Sequence, residues 1–243
     1  MTSETARDRQ PPLDERLEEL WAEAARDGRR LPGEPALAAA LSSSRPAVRE
    51  ALIRLEERGY IHRRKGADTT VNTSLLDIPA RFDRRVEESA LIRAMGQTPQ
   101  LDVLDVQRTR ITLDEAEAYD LRPGTEVLRV HKRWTADGVP ALLAHDSVPI
   151  TGAVDPETID PEQPMVDIAV TLAGARAEWE VVWPTATALD EADAAHASRP
   201  AGEPVLTLEV SGMSPTHGVC YWTTEHHLSG AFRYAMVRRA DWR

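Results

Sequence analysis

The stretch that decides the fold of the N-terminal part is "LSSSRPAVREALIRLEERGY", residues 41–60. Its apolar residues recur at helical spacing, which predicts a helix from about Arg45 to Arg58. The serines before it supply an N-cap, and Gly59 ends it. Arg45 and Arg49 then share the outward face of the opening turns, where the partial positive charge of a helix N-terminus disfavours cations. The pair therefore indicates a partner outside the helix that attracts positive charge.

The residues around this helix complete a small module. Two helices are predicted before it, one in "PLDERLEELWAEAARDG" (12–28) and a short one in "LPGEPALAAALSSS" (31–44). After it, residues 60–63 and 69–72 have the pattern of two short strands joined by a turn. Three helices followed by a hairpin describe a winged helix-turn-helix. In that arrangement the first turns of the third helix enter the major groove of DNA, where a guanidinium can form hydrogen bonds to guanine or bind a phosphate group.

Charge is distributed unevenly along the chain. The net charge is -11, but residues 26–66 contain ten lysines and arginines against five acids, a balance of +5. The rest of the chain therefore carries -16. A basic module on an acidic body is typical of a DNA-binding domain joined to a larger domain, because phosphates attract the first and repel the second. A solvated basic face gives the same balance, so charge alone does not decide between the two.

Residues 31–72 resemble the DNA-binding domain of GntR-type bacterial transcription regulators. That pattern runs Leu-Pro-x-Glu, Ser/Thr-Arg-x-x-Val/Leu-Arg-x-x-Leu, Leu-x-x-x-Gly and a Gly-tipped wing. The predicted DNA-contacting set is Ser44, Arg45, Pro46, Ala47 and Arg49 in the recognition helix and Lys65 and Gly66 in the wing. Ser42 stands where the turn residue is usually glycine, and Pro46 and Ala47 stand where hydroxylated residues are common. These departures do not change the prediction that the segment binds DNA. They do change which bases we expect the recognition helix to contact.

The larger remainder contains an internal repeat. "TLDEAEAYDLRPGTEVLRVHKRWTADGVP" from Thr112 is echoed by "ALDEADAAHASRPAGEPVLTLEVSGMSPTHGVC" from Ala188. Each copy, with the strand-like piece before it, predicts a strand, a short helix capped at Asp114 or Asp190, and a β-hairpin. Two such units would form one antiparallel sheet with helices on one side, an α/β (α+β) domain with a ligand crevice where the units meet.

This duplicated pattern resembles the UTRA effector-binding domain, which has a chorismate-lyase-like fold and follows a GntR-type head in many regulators. The resemblance spans about Phe82 to Arg243 and rests mostly on the order of strand, helix and hairpin. The effector-binding residues predicted on that basis are Lys132, Trp134, His145, Asp146, Asp167, Trp222 and Glu225.

The same resemblance bears on the class of effector. UTRA domains that recognise phosphosugars tend to carry Arg-x-Arg at the end of the first hairpin strand, where this chain has Lys132 and Trp134. Ala144 replaces an acid, and residues 165–167 (Met, Val, Asp) replace Ser-Leu-Tyr. A phosphate needs fixed donors such as guanidinium groups. We therefore expect a partly apolar or nitrogenous metabolite rather than a phosphosugar.

The domain boundaries follow from these patterns. We expect a disordered tail (1–12), the winged helix-turn-helix domain (13–72), a linker (73–81) and the UTRA-like domain (82–243). The N-terminal tail is polar without a signal-peptide core, and no apolar run reaches membrane-spanning length, so we expect a cytoplasmic protein without membrane contact.

Composition and motifs also limit the chemistry. Cys220 is the sole cysteine, which excludes a disulfide framework and a thiolate zinc cluster. His226 and His227 could ligate a metal with Cys220 or His217, but no close pair has the spacing of a closed zinc site. We therefore expect no metal and no cofactor. The sequence shows no phosphate loop or paired-carboxylate motif, which favours a protein that is not an enzyme.

Three hypotheses from different classes remain. The first is a ligand-responsive transcription repressor that binds a two-fold double-stranded DNA operator as a homodimer. The second is an enzyme of chorismate-lyase-like fold with a basic appended domain, which would turn over a substrate and ignore DNA. The third is an interaction protein whose winged module contacts another protein. Salt-dependent, sequence-selective DNA binding that a small molecule weakens would separate the first from the others.

Overall fold

The computed structural model of the chain describes residues 12–64, 69–76, 78, 80–82, 85–152, 154–228 and 230–238. The chain forms two compact units, Met1–Asp83 with Tyr234–Arg243 and Arg84–Arg233, which we call the head and the body. The tail predicted over residues 1–12 lies, except for Pro12, outside the described residues. None of the described helices combines the length and apolarity needed to cross a membrane.

The head has the predicted order of three helices and a hairpin. Its elements are α1 (Leu13–Arg26), α2 (Glu34–Ala40), α3 (Arg45–Glu57), β1 (Ile61–His62) and β2 (Thr70–Val71). The two strands pair antiparallel. The predicted winged helix-turn-helix is therefore confirmed.

Apolar residues at helical spacing build the core of the head. Leu17, Leu37 and Val48, one from each helix, are completely buried and belong to one hydrophobic cluster. The indole Nε1 of Trp21 donates a hydrogen bond of 2.8 Å to the carbonyl oxygen of Tyr60, and the two rings meet edge to face. The core thus joins the helices to the start of the hairpin and fixes where α3 stands.

Local capping chemistry sets the start of α3. The Oγ of Ser44 accepts a hydrogen bond of 3.3 Å from the backbone N–H of Ala47 and caps the helix. In the turn before it, Ser42 adopts a left-handed backbone with φ of 46°. Glycine adopts this conformation without strain, which explains why the turn position usually carries glycine in the family that this segment resembles.

The predicted linker packs within the head. It contains a 3-10 turn at Thr73–Leu75 and strand β3 (Ala80–Arg81), which pairs in parallel with β10 (Tyr234–Ala235) near the end of the chain. The Arg81 guanidinium lies 4.7 Å from the centre of the Tyr60 ring, a cation–π contact. The chain thus enters and leaves the body through two segments that are hydrogen-bonded to each other.

The body is built on one antiparallel sheet. Its strands are β4 (Pro99–Arg110), β5 (Glu126–Ala136), β6 (Val139–Pro149), β7 (Trp179–Ala188), β8 (Pro204–Ser214) and β9 (Gly218–His227). Their order is β4-β5-β6-β9-β8-β7, so each repeat contributes three neighbouring strands and the halves join at β6 and β9.

Helices cover both faces of this sheet. They are α4 (Glu88–Ala94), α5 (Leu113–Ala118), α6 (Met165–Leu172) and α7 (Glu191–Ala197). The repeat helices α5 and α7 lie on one side, as predicted, and we call it the α7 face. The helices α4 and α6 cover the other side, the α6 face, which the repeat pattern does not predict.

The two repeat helices begin at different positions. In the second copy the carboxylate of Asp190 accepts a hydrogen bond of 2.8 Å from the backbone N–H three residues on, as predicted. In the first copy the cap is Thr112, which forms a capping box with Glu115, and the predicted cap Asp114 lies inside the helix. The first helix begins earlier because Thr112 offers a hydroxyl, whereas Ala188 at the matching position has none.

Candidate functional site

The opening turn of α3 presents the residues predicted to contact DNA. The side chains of Ser44, Arg45, Pro46 and Arg49 are exposed, and Ala47 is partly buried. Lys65 and Gly66, the residues predicted for the wing, lie outside the described residues.

Two arginines at the C-terminal end of α3, Arg54 and the C-cap Arg58, pair with acids of α1. Arg54 forms a bidentate pair with Asp14 of α1, with Nη2 and Oδ1 separated by 2.7 Å. One turn further on, Arg58 pairs with Glu18, whose carboxylate is buried. Both pairs fasten α3 to α1.

The earlier arginines are placed differently. Arg45 has no ion pair among the described residues. Arg49 pairs with Glu34, the first residue of α2, with Nη2 and Oε2 separated by 2.9 Å, yet 64% of its side chain is exposed. The hydrogen bond from Arg49 lowers the pKa of the Glu34 carboxyl. An exposed pair of this kind is weak, so the guanidinium is oriented but remains free to exchange partners.

The start of the wing adds one cation that the predicted set omits. Arg63 pairs with Glu56 of α3 at 3.1 Å and is mostly buried, so it holds the hairpin to the helix. Arg64 is exposed and contacts only the ring of His62 among the residues described here, at 3.3 Å. Its position beside Lys65 in a basic run is the signal that could have added it to the set.

The sheet divides the predicted effector-binding residues between its two faces. Strand alternation and register place Lys132, Trp134, Asp146 and Glu225 on the α6 face. Asp167 lies in the first turn of α6 with its side chain exposed. His145 and Trp222 lie on the opposite face, because His145 precedes Asp146 on β6 and Trp222 pairs across to Ser147. Trp222 stacks there on Tyr119 beside α5, at 4.4 Å between ring centres.

Lys132 is buried in an ion pair on the α6 face. Its Nζ lies 3.2 Å from Oδ2 of Asp146 and donates a hydrogen bond of 2.9 Å to the carbonyl oxygen of Gln163. Both charged residues are at most 4% exposed. The positive charge of Lys132 is therefore already balanced inside the protein.

Two further carboxyls on this face carry strongly raised pKa values. Burial and the neighbouring Glu225 raise the pKa of Glu88 to about 8. Burial, Asp146 and Glu180 raise the pKa of Glu225 to about 8. Glu88 comes from α4, a helix that the repeat does not predict, so only Glu225 belongs to the predicted set.

A third carboxylate is held in place by its neighbours. Arg85 Nε lies 2.8 Å from Oε1 of Glu180, and the Tyr221 hydroxyl donates a hydrogen bond to the same oxygen. A Cβ at Gly212 would collide with the Tyr221 ring, so glycine is required there for the ring to lie against the strand. These residues carry no sequence motif; the sheet register brings Glu180, Gly212 and Tyr221 together, and Arg85 reaches them from the segment before α4.

Two donors on the α6 face are buried without a partner. The indole Nε1 of Trp134 and the Oγ1 of Thr223 have no hydrogen bond among the described residues. Buried polar groups are ordinarily paired, and unpaired ones mark places where a ligand or water binds. With the carboxyls above, they make the α6 face a place where acidic groups and two unpaired donors lie together.

On the α7 face, His145 belongs to a different cluster. Its Nε2 lies 3.0 Å from both oxygens of Asp193, and its ring stacks on His131 with 4.0 Å between centres. The hydrogen bond to Asp193 raises the pKa of His145, whereas burial and the His145 charge lower the pKa of His131 to about 4. The two histidines lie opposite each other on the two strands of a hairpin whose turn is at residues 137–138. Counting residues outward from that turn in the sequence could have predicted that they are neighbours.

Comparison with known proteins gives two family matches. Residues 14–71 match the family described as "Bacterial regulatory proteins, gntR family", and residues 94–233, more than half of the chain, match the UTRA domain. The first match covers the head helices and hairpin, and the second covers the sheet with α5, α6 and α7.

Solved structures share the fold. The chain is similar to PhnF from Mycobacterium smegmatis, with 19% identity, a TM-score of 0.59, and 95% of this chain and 100% of that one covered. It is similar to the possible transcriptional regulator YydK from Bacillus subtilis subsp. subtilis str. 168, with 14% identity, a TM-score of 0.68 and coverage of 94% and 99%. The effector domain of PhnF alone aligns at 17% identity and a TM-score of 0.55, covering 63% of this chain and 95% of that one.

Proposed function

This chain belongs to the gntR family of bacterial regulators and carries a UTRA domain, and from that premise we propose that it is a homodimeric repressor whose operator affinity is set by a nitrogenous metabolite. Its general role is that of a ligand-responsive transcription regulator. The finer points concern the surface that contacts DNA, the site that binds the effector and the class of that effector. The protein acts in the cytoplasm.

The observation that carries the proposal is the presence of two exposed arginines in the opening turns of α3. Arg54 and Arg58 pair with acids of α1 in the last turns, whereas the exposed residues Arg45 and Arg49 lie at the opening turns. Among the described residues Arg45 has no ion pair, and Arg49 has only an exposed pair with Glu34, which can exchange for another partner. A helix N-terminus disfavours cations, so their presence there is best explained by phosphate and guanine as partners. Two such helices in a dimer would read two half-sites related by a two-fold axis.

The effector site is proposed on the α6 face. It comprises Lys132, Trp134, Asp146, Asp167 and Glu225 from the predicted set, with Glu88, Glu180 and Arg85 added. His145 and Trp222 are left out because the sheet separates them from the rest.

The charges on this face favour a cationic effector. Four carboxyls, on Glu88, Asp146, Glu180 and Glu225, face two cations, on Lys132 and Arg85. Glu225 contacts the ring of His227 at 3.0 Å, but burial lowers the pKa of that histidine to about 3. Burial raises the pKa of both Glu88 and Glu225, and positive charge brought by a ligand would favour their ionised forms. An amine or amidine would supply that charge, and acceptor groups on the same metabolite would meet Trp134 and Thr223. A phosphate would find no unbalanced cation among these groups.

Two linked experiments test the proposal. The full chain is used to select bound sequences from random DNA, and metabolites are then screened for loss of binding to the selected site. We expect a two-fold-symmetric site and release by a cationic metabolite. Catalytic turnover of a ligand together with indifference to DNA sequence would instead establish the enzyme hypothesis.

The site itself is tested with a matched pair of variants. Glu225→Gln should weaken effector binding at least about tenfold in calorimetry, because a buried charge loses its partner. Glu209→Gln, an exposed acid on the other side of the sheet, should leave it unchanged. Tight binding of a sugar phosphate in place of an amine would refute the assignment of effector class.

A further inference from the structure

Imidazoles surround one carboxylate on the α7 face, on the side of the sheet opposite to the proposed effector site. Asp193 projects from the first turn of α7, and its oxygens lie 3.0 Å from Nε2 of His145, 3.4 Å from Nε2 of His131 and 3.3 Å from Nε2 of His226. These four residues come from β5, β6, β9 and α7, so the folded body alone brings them together.

The separations between Asp193 and the two imidazoles, 3.0 and 3.4 Å, are close to those between ligands of one metal ion. Ligand atoms about 2.0 to 2.2 Å from a tetrahedral metal lie about 3.3 to 3.6 Å from each other. The ligand atoms of His131, His145 and Asp193 all lie within 4.8 Å of one another. Binding of one ion by both imidazoles therefore requires the two stacked rings to reorient.

The neighbours of the cluster hold its carboxylate and one imidazole in position. His226 makes a hydrogen bond of 2.9 Å through Nδ1 to the hydroxyl of Thr207, which leaves its Nε2 directed at Asp193. The backbone N–H of Asp193 is tied to the N-cap Asp190 at 2.8 Å. Metal ligands in proteins are ordinarily oriented by an outer set of hydrogen bonds of this kind.

One ring nitrogen of the cluster has no hydrogen-bond partner among the described residues. The Nε2 of His131 is buried and has no hydrogen bond among the described residues, although the carboxylate is near. A buried ring nitrogen without a partner is costly, and a cation between it and Asp193 would remove that cost. His145 is 43% exposed at its side chain, which gives a metal a path of entry and leaves room for a water ligand.

We infer that His131, His145 and Asp193 bind a divalent first-row transition metal ion, with zinc as the first choice. Two imidazoles and one carboxylate suit such an ion, and three protein ligands leave one position open. Calcium and magnesium prefer sites made of oxygen ligands and fit this set poorly. His226 acts as a positioning residue through its contact with Asp193. The ion would tie α7 to the β5–β6 hairpin and so stabilise the body independently of any effector.

Zinc titration of the full chain, free of any polyhistidine tag, tests this inference. We expect calorimetry to show one saturable equivalent of zinc per chain in the wild type. At zinc concentrations 100-fold above Kd, the ratio of folded to unfolded protein should rise about 100-fold. Cobalt(II) should give the visible absorption of a low-symmetry site with nitrogen and oxygen ligands, competed away by zinc.

Variants locate the site. His145→Ala and Asp193→Asn should each weaken zinc binding at least about 100-fold. His217→Ala, an exposed histidine in the β8–β9 turn, should bind as the wild type does. Because His145 is partly exposed, its replacement keeps the fold, which circular dichroism verifies. Absence of a saturable equivalent, or equal binding by the wild type and both ligand variants, would overturn the inference. Neither result depends on whether the α6 face binds an effector.

Discussion

Replacing Arg49 with alanine is the most direct test of the DNA-contacting surface. The guanidinium is 64% exposed and makes its hydrogen bonds to Glu34 at 2.9 and 3.2 Å. On the operator it would exchange this carboxylate for guanine or phosphate, and little opposes the exchange because an exposed pair is weak. Removing a guanidinium that is well paired with a base raises Kd about 5- to 150-fold. We expect Arg45→Ala to weaken binding within the same range.

The control is Arg54→Ala. Arg54 belongs to the same helix, is 48% exposed at its side chain and makes a bidentate contact to Asp14. It therefore matches Arg49 in residue type, exposure and pairing, but lies away from the opening turn. Its replacement should change Kd by less than about threefold, and both variants should unfold within about 4 °C of the wild type.

Fluorescence anisotropy with the selected operator, at one fixed salt concentration, measures these effects. Glu34→Gln separates a direct role of Arg49 from an indirect one. If Arg49 serves only to link α3 to α2, removing the carboxylate should weaken DNA binding as much as removing the guanidinium does. If Arg49 contacts DNA, the glutamine variant should bind as well as the wild type or better. Equal Kd values for the Arg49, Arg45 and Arg54 variants would refute the assignment of the recognition surface.

Three further predictions concern stability. Ser42→Gly should stabilise the head by about 1 kcal/mol in urea unfolding, because φ is 46° at this position, and no gain would show that the turn is unstrained. Leu52→Ala should cost about 2 to 5 kcal/mol in the same assay, because it opens a cavity at a residue only 2% exposed; a smaller loss would mean that the core collapses around it. Burial and Asp146 raise the pKa of Glu225 from its ordinary 4.5 to about 8. Its contribution to stability is therefore complete below about pH 4.5 and is lost as pH rises through about 8. Between pH 6 and 9 the melting temperature of Glu225→Gln should therefore fall less than that of the wild type. Parallel curves of melting temperature against pH for the two proteins would contradict this.

Local sequence patterns were sufficient to predict the head. Helix α3 is specified by its own apolar period, by the hydroxyl of Ser44 and by Gly59, all of which act within a few residues. The hairpin follows from a change of period at Tyr60. The repeat likewise predicted two hairpins and two helices, because a pattern that occurs twice is hard to produce by chance.

The proposed effector site could not be predicted in the same way, because its residues are brought together by the register of the strands. A shift of one residue along a strand turns a side chain from one face of a sheet to the other. His145 and Asp146 were therefore both plausible members of the set, and only the pairing of Asp146 with Val130 placed it beside Lys132. Glu88, which we add to the proposed site, could not be predicted because α4 lies outside the repeat and because burial has no local sequence signal.

Chain connectivity suggests how occupancy of the α6 face would reach the operator. Glu88 opens α4, the first helix of the body, and residues 82–87 alone join it to β3 in the head. The other crossing follows β9 and ends in β10, which is hydrogen-bonded to β3. A cation that draws Glu88 and Glu225 together would thus act on the elements at which the chain enters and leaves the body. A coupling free energy of about 1 to 3 kcal/mol, ordinary for such regulators, requires only that the ligand favour one arrangement of those segments by that amount.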